Sequence, residues 1–261
     1  MKAARHASHL PREIADGVVW FSTCLHVRSG DRLLHNHNSC FLIIGSKRTV
    51  LIDTAMPYGW PTLQSELREA LQGRKLDYIF PTHPELPHMG NIGPLLEDHP
   101  DALIVGDLRN YKLYYPEATA SFRTMRTGDM LDLGGRRIAL VPAVIHDLPN
   151  SLWAYEPDAK ILFVSDAYPF THEHEPHQCG LLAEELPAPP QPEDSRIVIE
   201  RALSWTRFVD PEPVIAALHR FLESHPVSII APAHGGIIAD PRGFAGVFED
   251  GLRQVRAHVP A

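Results

Sequence analysis

Four short apolar runs in this chain each break off into residues that can ligate a metal, and that recurrence constrains the fold more than any other feature. Tyr78-Ile79-Phe80 leads to His83, Glu85 and His88, and Arg137 to Val141 leads to His146. Ile161 to Val164 leads to Asp166, and Ser228 to Ala231 leads to His234, which Gly235-Gly236 follow. Apolar runs this short, bounded by turn residues, read as buried strands. Loops beyond the ends of neighbouring strands converge in space, so these six residues can meet at one sheet edge. Neutral imidazole and ionised carboxylate together suit borderline-hard divalent ions such as iron, zinc or manganese. Taken singly, each of these residues also reads as a polar group on a surface loop. The densest segment is Thr82 to Asn91, where two imidazoles and a carboxylate fall between His83 and His88.

The rest of the chain supplies the frame. Val18 to Phe21 reads as a strand. Cys40 to Ile44 and Thr49 to Ile52, joined by a short turn at Gly45, read as a hairpin. Pro61 opens a helix with Leu63, Leu67 and Leu71 on one face, stopped by Gly73. A short helix over Gly93 to Asp98 and a strand over Ala102 to Val105 follow. Arg109 to Met125 is less regular, and Tyr111, Tyr114 and Tyr115 there read as packing residues. Met130 to Leu133, Arg137 to Val141, Leu152 to Tyr155 and Ile161 to Val164 read as strands. Pro169 to Glu193 reads as a Pro-rich, His-bearing loop. Asp194 or Ser195 then caps a helix reaching Phe208, and another begins at Pro213. Strands first, then strands interleaved with helices, predict a mixed α/β layered protein. No composition shift divides it, so a single domain over residues 1–261 is expected, with its core at about 18–244.

Composition removes several function classes. The formal net charge of -8 argues against nucleic acid and against an anionic membrane surface as partners. Cys24, Cys40 and Cys179 are odd in number and form no C-x-x-C pair, which fits reduced thiols. The N-terminus is polar, and no apolar run approaches the length of a membrane span. A soluble cytoplasmic protein is expected, and a homo-oligomer is compatible with the sequence.

The order of these motifs resembles the metallo-β-lactamase fold superfamily. The resemblance rests on Leu51-Ile52-Asp53-Thr54, Thr82-His83-x-Glu85-x-x-His88-x-Gly90-Asn91, His146, Ser165-Asp166-Ala167 and Ala231-Pro232-Ala233-His234-Gly235. It implies an αββα sandwich with metals at one edge of the two sheets. Glu85 between the two histidines resembles the flavodiiron proteins and stand-alone oxygen-binding di-iron proteins, whereas hydrolases of the superfamily usually have His there. Carried over, the resemblance implies a first iron on His83, Glu85, His146 and bridging Asp166, and a second on His88, Asp166 and His234. The family places an Asp two residues after the Glu, and here that residue is Pro87, which has no coordinating atom. One or two irons per chain are therefore both open, with Asp147 as a rescue ligand for the second. The same resemblance makes Asp53 a support behind the site.

The reading that follows is a non-haem iron protein that binds or reduces dioxygen or nitric oxide. The sequence has no Gly/Ser/Thr-rich phosphate loop for FMN, so electrons would come from a separate electron-transfer protein. The alternatives are a zinc hydrolase of a thioester, lactone or phosphoester, and a non-enzymatic gas sensor or pseudoenzyme. Among weaker features, His172, His174, His177 and Cys179 form either a second metal site or a solvated lid loop, the lid being preferred. His35 and His37, before the strand at Cys40, either reach the metal pocket or are exposed loop histidines, the exposed loop being preferred.

Overall fold

The computed structural model describes residues 10–173 and 178–257, and among these twelve strands form two sheets with helices on both outer faces. The first sheet takes β1 (Arg12–Ala15), β2 (Val18–Ser29), β3 (Arg32–Ile44), β4 (Thr49–Ile52), β5 (Tyr78–Phe80), β6 (Leu103–Gly106) and β7 (Phe122–Thr124), side by side in that order. The second contains β8 (Met130–Asp132), β9 (Arg137–Pro142), β10 (Leu152–Glu156), β11 (Ile161–Phe163) and β12 (Ile229–Ala231). Helices α1 (Trp60–Leu71) and α3 (Ile92–Asp98) cover the first sheet, and α2 (Leu86–Met89) is a single turn on the way into α3. Helices α4 (Pro192–Ala202), α5 (Glu212–Ser224) and α6 (Pro241–Ala257) cover the second. This is the expected αββα arrangement. No helix among the described residues is long and apolar enough to cross a membrane.

The two-residue period of a strand explains the layers. Phe41 and Ile43 point between the sheets with Trp20, Ile52 and Phe80, where they meet Leu140, Ala154 and Phe163 of the second sheet. Their neighbours Cys40 and Leu42 point outward and pack beneath Leu63 and Leu67 of α1. On the other side Trp153 and Leu162 point away from the middle, toward Ile215 and Phe221 of α5 and Phe248 of α6. Both faces of these strands are covered, which is why their sequences are apolar without alternation.

Strand direction decides where the loops go. β4, β5 and β6 are mutually parallel, and β11 is parallel to β12. β9 is antiparallel to β10, which is antiparallel to β11, so β9 points the same way as β11. The C-terminal ends of β5, β9, β11 and β12 therefore meet at one edge. Direct links join the sheets there: Leu152 N donates to Thr82 O at 3.0 Å and Ser39 N to Ala233 O at 2.8 Å. At the opposite edge Ser46 N donates to Gly134 O and Lys47 N to Leu133 O, both at 2.9 Å. A Cβ on Gly45 would overlap the Leu133 backbone, so this close approach of the two turns requires glycine.

Several elements differ from expectation. β2 and β3 run far past Phe21 and start well before Cys40, pairing continuously from Val18↔Ile43 to Ser29↔Arg32 across the Gly30-Asp31 turn. His35 and His37 are thus strand residues, and His37 is fully buried, not exposed in a loop. α4 starts at Pro192 and ends at Ala202, with a separate 3-10 segment over Ser204–Phe208. Asp194 lies inside its first turn and accepts a bond from Gln191 N at 2.8 Å, so it caps the helix from within.

Candidate metal centre

Asp53 follows directly on β4, and its φ of 57° lies in the left-handed region that non-glycine residues rarely adopt. The twist turns its carboxylate under the next loop. Oδ1 accepts from Thr82 N at 2.7 Å and from Thr82 Oγ1 at 2.9 Å, and Oδ2 lies 2.9 Å from His88 Nδ1. With Nδ1 engaged on a carboxylate, the imidazole of His88 presents Nε2 to the site. His83 is held the same way: its Nδ1 lies 3.1 Å from Ser165 Oγ, which in turn lies 2.8 Å from Thr82 Oγ1. Ser165 also has a left-handed φ, 53°. Backbone strain at two non-glycine residues behind one cluster is the pattern of a site whose surroundings over-determine it.

Asp166, at the end of β11, is the centre of the cluster. Its Oδ2 lies 3.3 Å from His83 Nε2, and its Oδ1 lies 3.2 Å from both His88 Nε2 and His234 Nε2. These approaches lack hydrogen-bond geometry: His83 Nε2, His88 Nε2 and Asp166 Oδ1 are buried without a hydrogen-bond partner. Buried polar atoms left in that state are costly unless something else satisfies them. His83, His88 and Asp166 each offer a ligand atom, all within 4.8 Å of one another, and so do His83, Glu85 and Asp147. This donor set fits a borderline-hard divalent cation.

The electrostatics agree. Burial raises the Asp166 carboxyl, yet His83, His88 and His234 outweigh it and hold it well below the usual carboxylate range. Burial lowers His88, but Asp53 and Asp166 outweigh it and hold the imidazolium well above its usual range. The His83 imidazole holds Glu85 low. Burial, followed by the charges of Glu85 and Asp166, pushes Asp147 up to about 6.

Of the six residues singled out from sequence, five assemble: His83, Glu85, His88, Asp166 and His234. His146 does not join either ligand group. Its Nδ1 lies 3.0 Å from Ala143 O, its carbonyl accepts from Trp205 Nε1 at 2.8 Å, and it lines a neighbouring cleft of about 400 Å³. Asp147 occupies the ground beside Glu85 instead, next to the first group and not the second, as had been expected of it. Pro87 lies in the first turn of α2, where a missing N–H breaks no helical bond. The segment is a helical turn, then, not an open loop, and it carries His88 inward while Glu85 stays exposed. Asn91 fixes the start of α3 by donating to the carbonyls of Thr54, Ala55 and Met56. Sequence reading quoted Thr82 and Ser165 as motif residues but gave their hydroxyls no part in the site, although each immediately precedes a residue of the cluster.

His174 and His177 lie outside the described residues. His172 is buried, not a solvated lid residue, and its backbone pairs with His35.

Comparison with known proteins gives the lineage. The coenzyme F420H2 oxidase of Methanocaldococcus jannaschii is 29% identical over 167 residues, covering 60% of this chain and 40% of that protein. The nitric oxide reductase of Moorella thermoacetica is 27% identical over 170 residues, covering 60% of this chain and 42% of that protein. This chain thus spans about two-fifths of the length of these curated relatives. The flavodiiron protein of Giardia intestinalis has the same fold, with a TM-score of 0.73 over 92% of this chain and 58% of that one at 17% identity. The sequence profile of the metallo-beta-lactamase superfamily matches residues 35–200, from the His-bearing strand β3 through Asp166 and into α4, and the chain belongs to that superfamily.

Proposed function

We propose that this chain is a non-haem iron protein that binds or reduces dioxygen or nitric oxide, taking electrons from a separate carrier. The observation that carries the reading is the convergence of three imidazole Nε2 atoms on Asp166, two of them buried without a hydrogen bond. The names of the relatives, an oxidase and a nitric oxide reductase, support the gas chemistry. His83, Glu85, Asp147 and Asp166 would hold one ion, and His88, Asp166 and His234 the other. Asp147 takes the position assigned from resemblance to His146, because it is the residue within ligand range of Glu85. Iron held by such a mixed imidazole and carboxylate set supplies redox chemistry with open positions for a diatomic gas. The protein's own part is orientation: Asp53 fixes the tautomer of His88, and Ser165 positions His83. Position 87 supplies no carboxylate, so the second ion has fewer protein ligands and more room for a small molecule.

The test is elemental analysis of anaerobically purified protein after expression with iron and zinc both available. Iron should be retained, and a chemically supplied reductant should then support consumption of dioxygen or nitric oxide. Stoichiometric zinc without iron would overturn the redox reading. Comparing Asp147→Ala with His146→Ala separates the ligand assignments: the first should lose metal and the second should retain it.

A further inference from the structure

At the metal edge Asn38 of β3 is fully buried, and neither its Nδ2 nor its Oδ1 has a hydrogen-bond partner among the described residues. The backbone around it is served: Asn38 O accepts from Ser22 Oγ at 3.2 Å, and Ser39 N donates to Ala233 O at 2.8 Å. The carboxamide itself bonds to nothing in the main chain. Burying such a group unpaired is costly. An apolar side chain would fill the position at less cost, as Cys40 and Leu42 do further along the same face of β3. The fold decides where this carboxamide goes. Asn38 and His234 form an antiparallel bridge, where the chain after β12 lies against β3. Residues directly opposite in an antiparallel pair carry their side chains on one face, with Cβ atoms about 5 Å apart. Asn38 therefore stands beside the His234 imidazole, whose Nε2 lies 3.2 Å from Asp166 Oδ1 and whose ring centroid is 5.7 Å from that of His88. His234 Nδ1 is likewise buried without a bond, so the two neighbours do not satisfy each other.

We infer that Asn38 contacts the small molecule bound at the second ion, its Nδ2–H donating to the atom of that molecule that carries negative charge. The inference rests on the proposed reading that His88, Asp166 and His234 hold an ion. Position 87 adds no carboxylate to that set, so the ion keeps a position open beside His234. A molecule that binds a divalent cation there is an anion or is polarised by the cation. A hydrogen bond to such a charged acceptor is roughly twice as strong as one between neutral groups. The carboxamide is neutral, so it donates without the repulsion from the cation that an ammonium or imidazolium would meet. Its Oδ1 accepts, so the same side chain also suits a ligand that carries a proton of its own. The class of ligand selected is therefore small and acceptor-bearing, and Asn38 acts on that ligand and not on the ion.

The experiment uses the full chain loaded with Co2+, with azide as the probe. Azide is a small anion with a terminal acceptor, and its binding to cobalt needs no reductant. Azide should change the visible spectrum saturably. Asn38→Leu should raise the azide dissociation constant by about 10- to 100-fold, the worth of one hydrogen bond to a charged acceptor. The spectrum without azide and the cobalt stoichiometry should stay as in the parent. Asn38→Ala removes the same donor with a different change of packing, and it gives the same reading where the leucine variant does not fold. Unchanged azide affinity in a folded variant would overturn the inference. A lost cobalt ion or an altered azide-free spectrum would overturn it too, because Asn38 would then be positioning His234. So would a cobalt-loaded parent that binds no azide. Because neither iron nor a reductant enters, failure here leaves the iron reading standing. Zinc in place of iron in the elemental analysis would in turn leave the role of Asn38 standing.

Discussion

Asp53 divides its two oxygens between Thr82 and His88, and it touches no atom that faces the ligand cluster. Replacing it by Asn keeps the shape and tolerates the left-handed backbone, but removes the charge that holds His88 in its tautomer. Asp53→Asn should lower metal affinity by about 10- to 100-fold, as carboxylates behind ligating histidines do, measured by competition with a chelator. An unchanged affinity would mean that geometry alone positions His88. Titration of the chelator-stripped protein gives a second expectation. Asp166 is held well below its ordinary range, so it contributes stability above that range which is lost as pH falls through the folded value. His88 is held well above its ordinary range, so its contribution is complete below that range and is lost as pH rises through the folded value. Urea midpoints should therefore peak between these limits and decline on both sides. Metal must displace the His88 proton, so metal uptake should strengthen as pH rises. A midpoint flat across the range would show that the two groups do not act as this pair. At this scale five of the six residues singled out from sequence come together because strand ends mark them. His146 stands apart from them, since the course of the chain after β9, where Trp205 binds its carbonyl, turns Asp147 toward Glu85.

Helix α2 is one turn long, and it exists because Leu86, Pro87 and His88 need few helical N–H groups of their own. Pro87→Asp would place a carboxylate in the first turn, where the helix dipole favours it, and would restore an N–H. The variant should bind the second ion more tightly and move iron content toward two per chain. Its stability should fall by about 1 kcal/mol through the freer unfolded chain. Elemental analysis and a denaturation curve check both, and iron content unchanged from the natural protein would remove Pro87 as the limiting feature. Elements with strong local signals were legible: α1 through Leu63, Leu67 and Leu71, and the β3–β4 hairpin through its Gly45 turn. The outer halves of β2 and β3 were not, because Ser22 to Ser29 and Arg32 to Ser39 are polar and His-rich. Only the Gly30-Asp31 pair between them announces a hairpin. α6 went unread, although Phe244, Phe248, Leu252 and Val255 stand at helical spacing and Asp240 caps its first turn by accepting from Gly243 N at 3.1 Å.

The two sheets are pinned at both edges, by the ligand cluster at one and by the Gly45 turn against Gly134 at the other. Gly45→Ala pushes a methyl group into the Leu133 backbone and should destabilise the whole fold by about 1–3 kcal/mol. A thermal melt will register this, and a wild-type melting temperature would show that the turns slide apart freely. The layered architecture was legible from the alternation of strands and helices, whereas the pinning was not, since it joins backbone atoms from turns far apart in the chain. The same layout has a consequence in time. Asp166 and His234 follow the last two strands of the second sheet in sequence, so a growing chain completes the first sheet long before its ligand set exists. An ion held by the cluster would then reach a nearly finished molecule and lock it, and would not template its folding. Stopped-flow measurements should find the refolding rate indifferent to added metal and the unfolding rate slowed by it, because the ligand contacts form after the rate-limiting barrier. Refolding accelerated by metal would place the centre in the folding nucleus, and the order of events would have to be reversed.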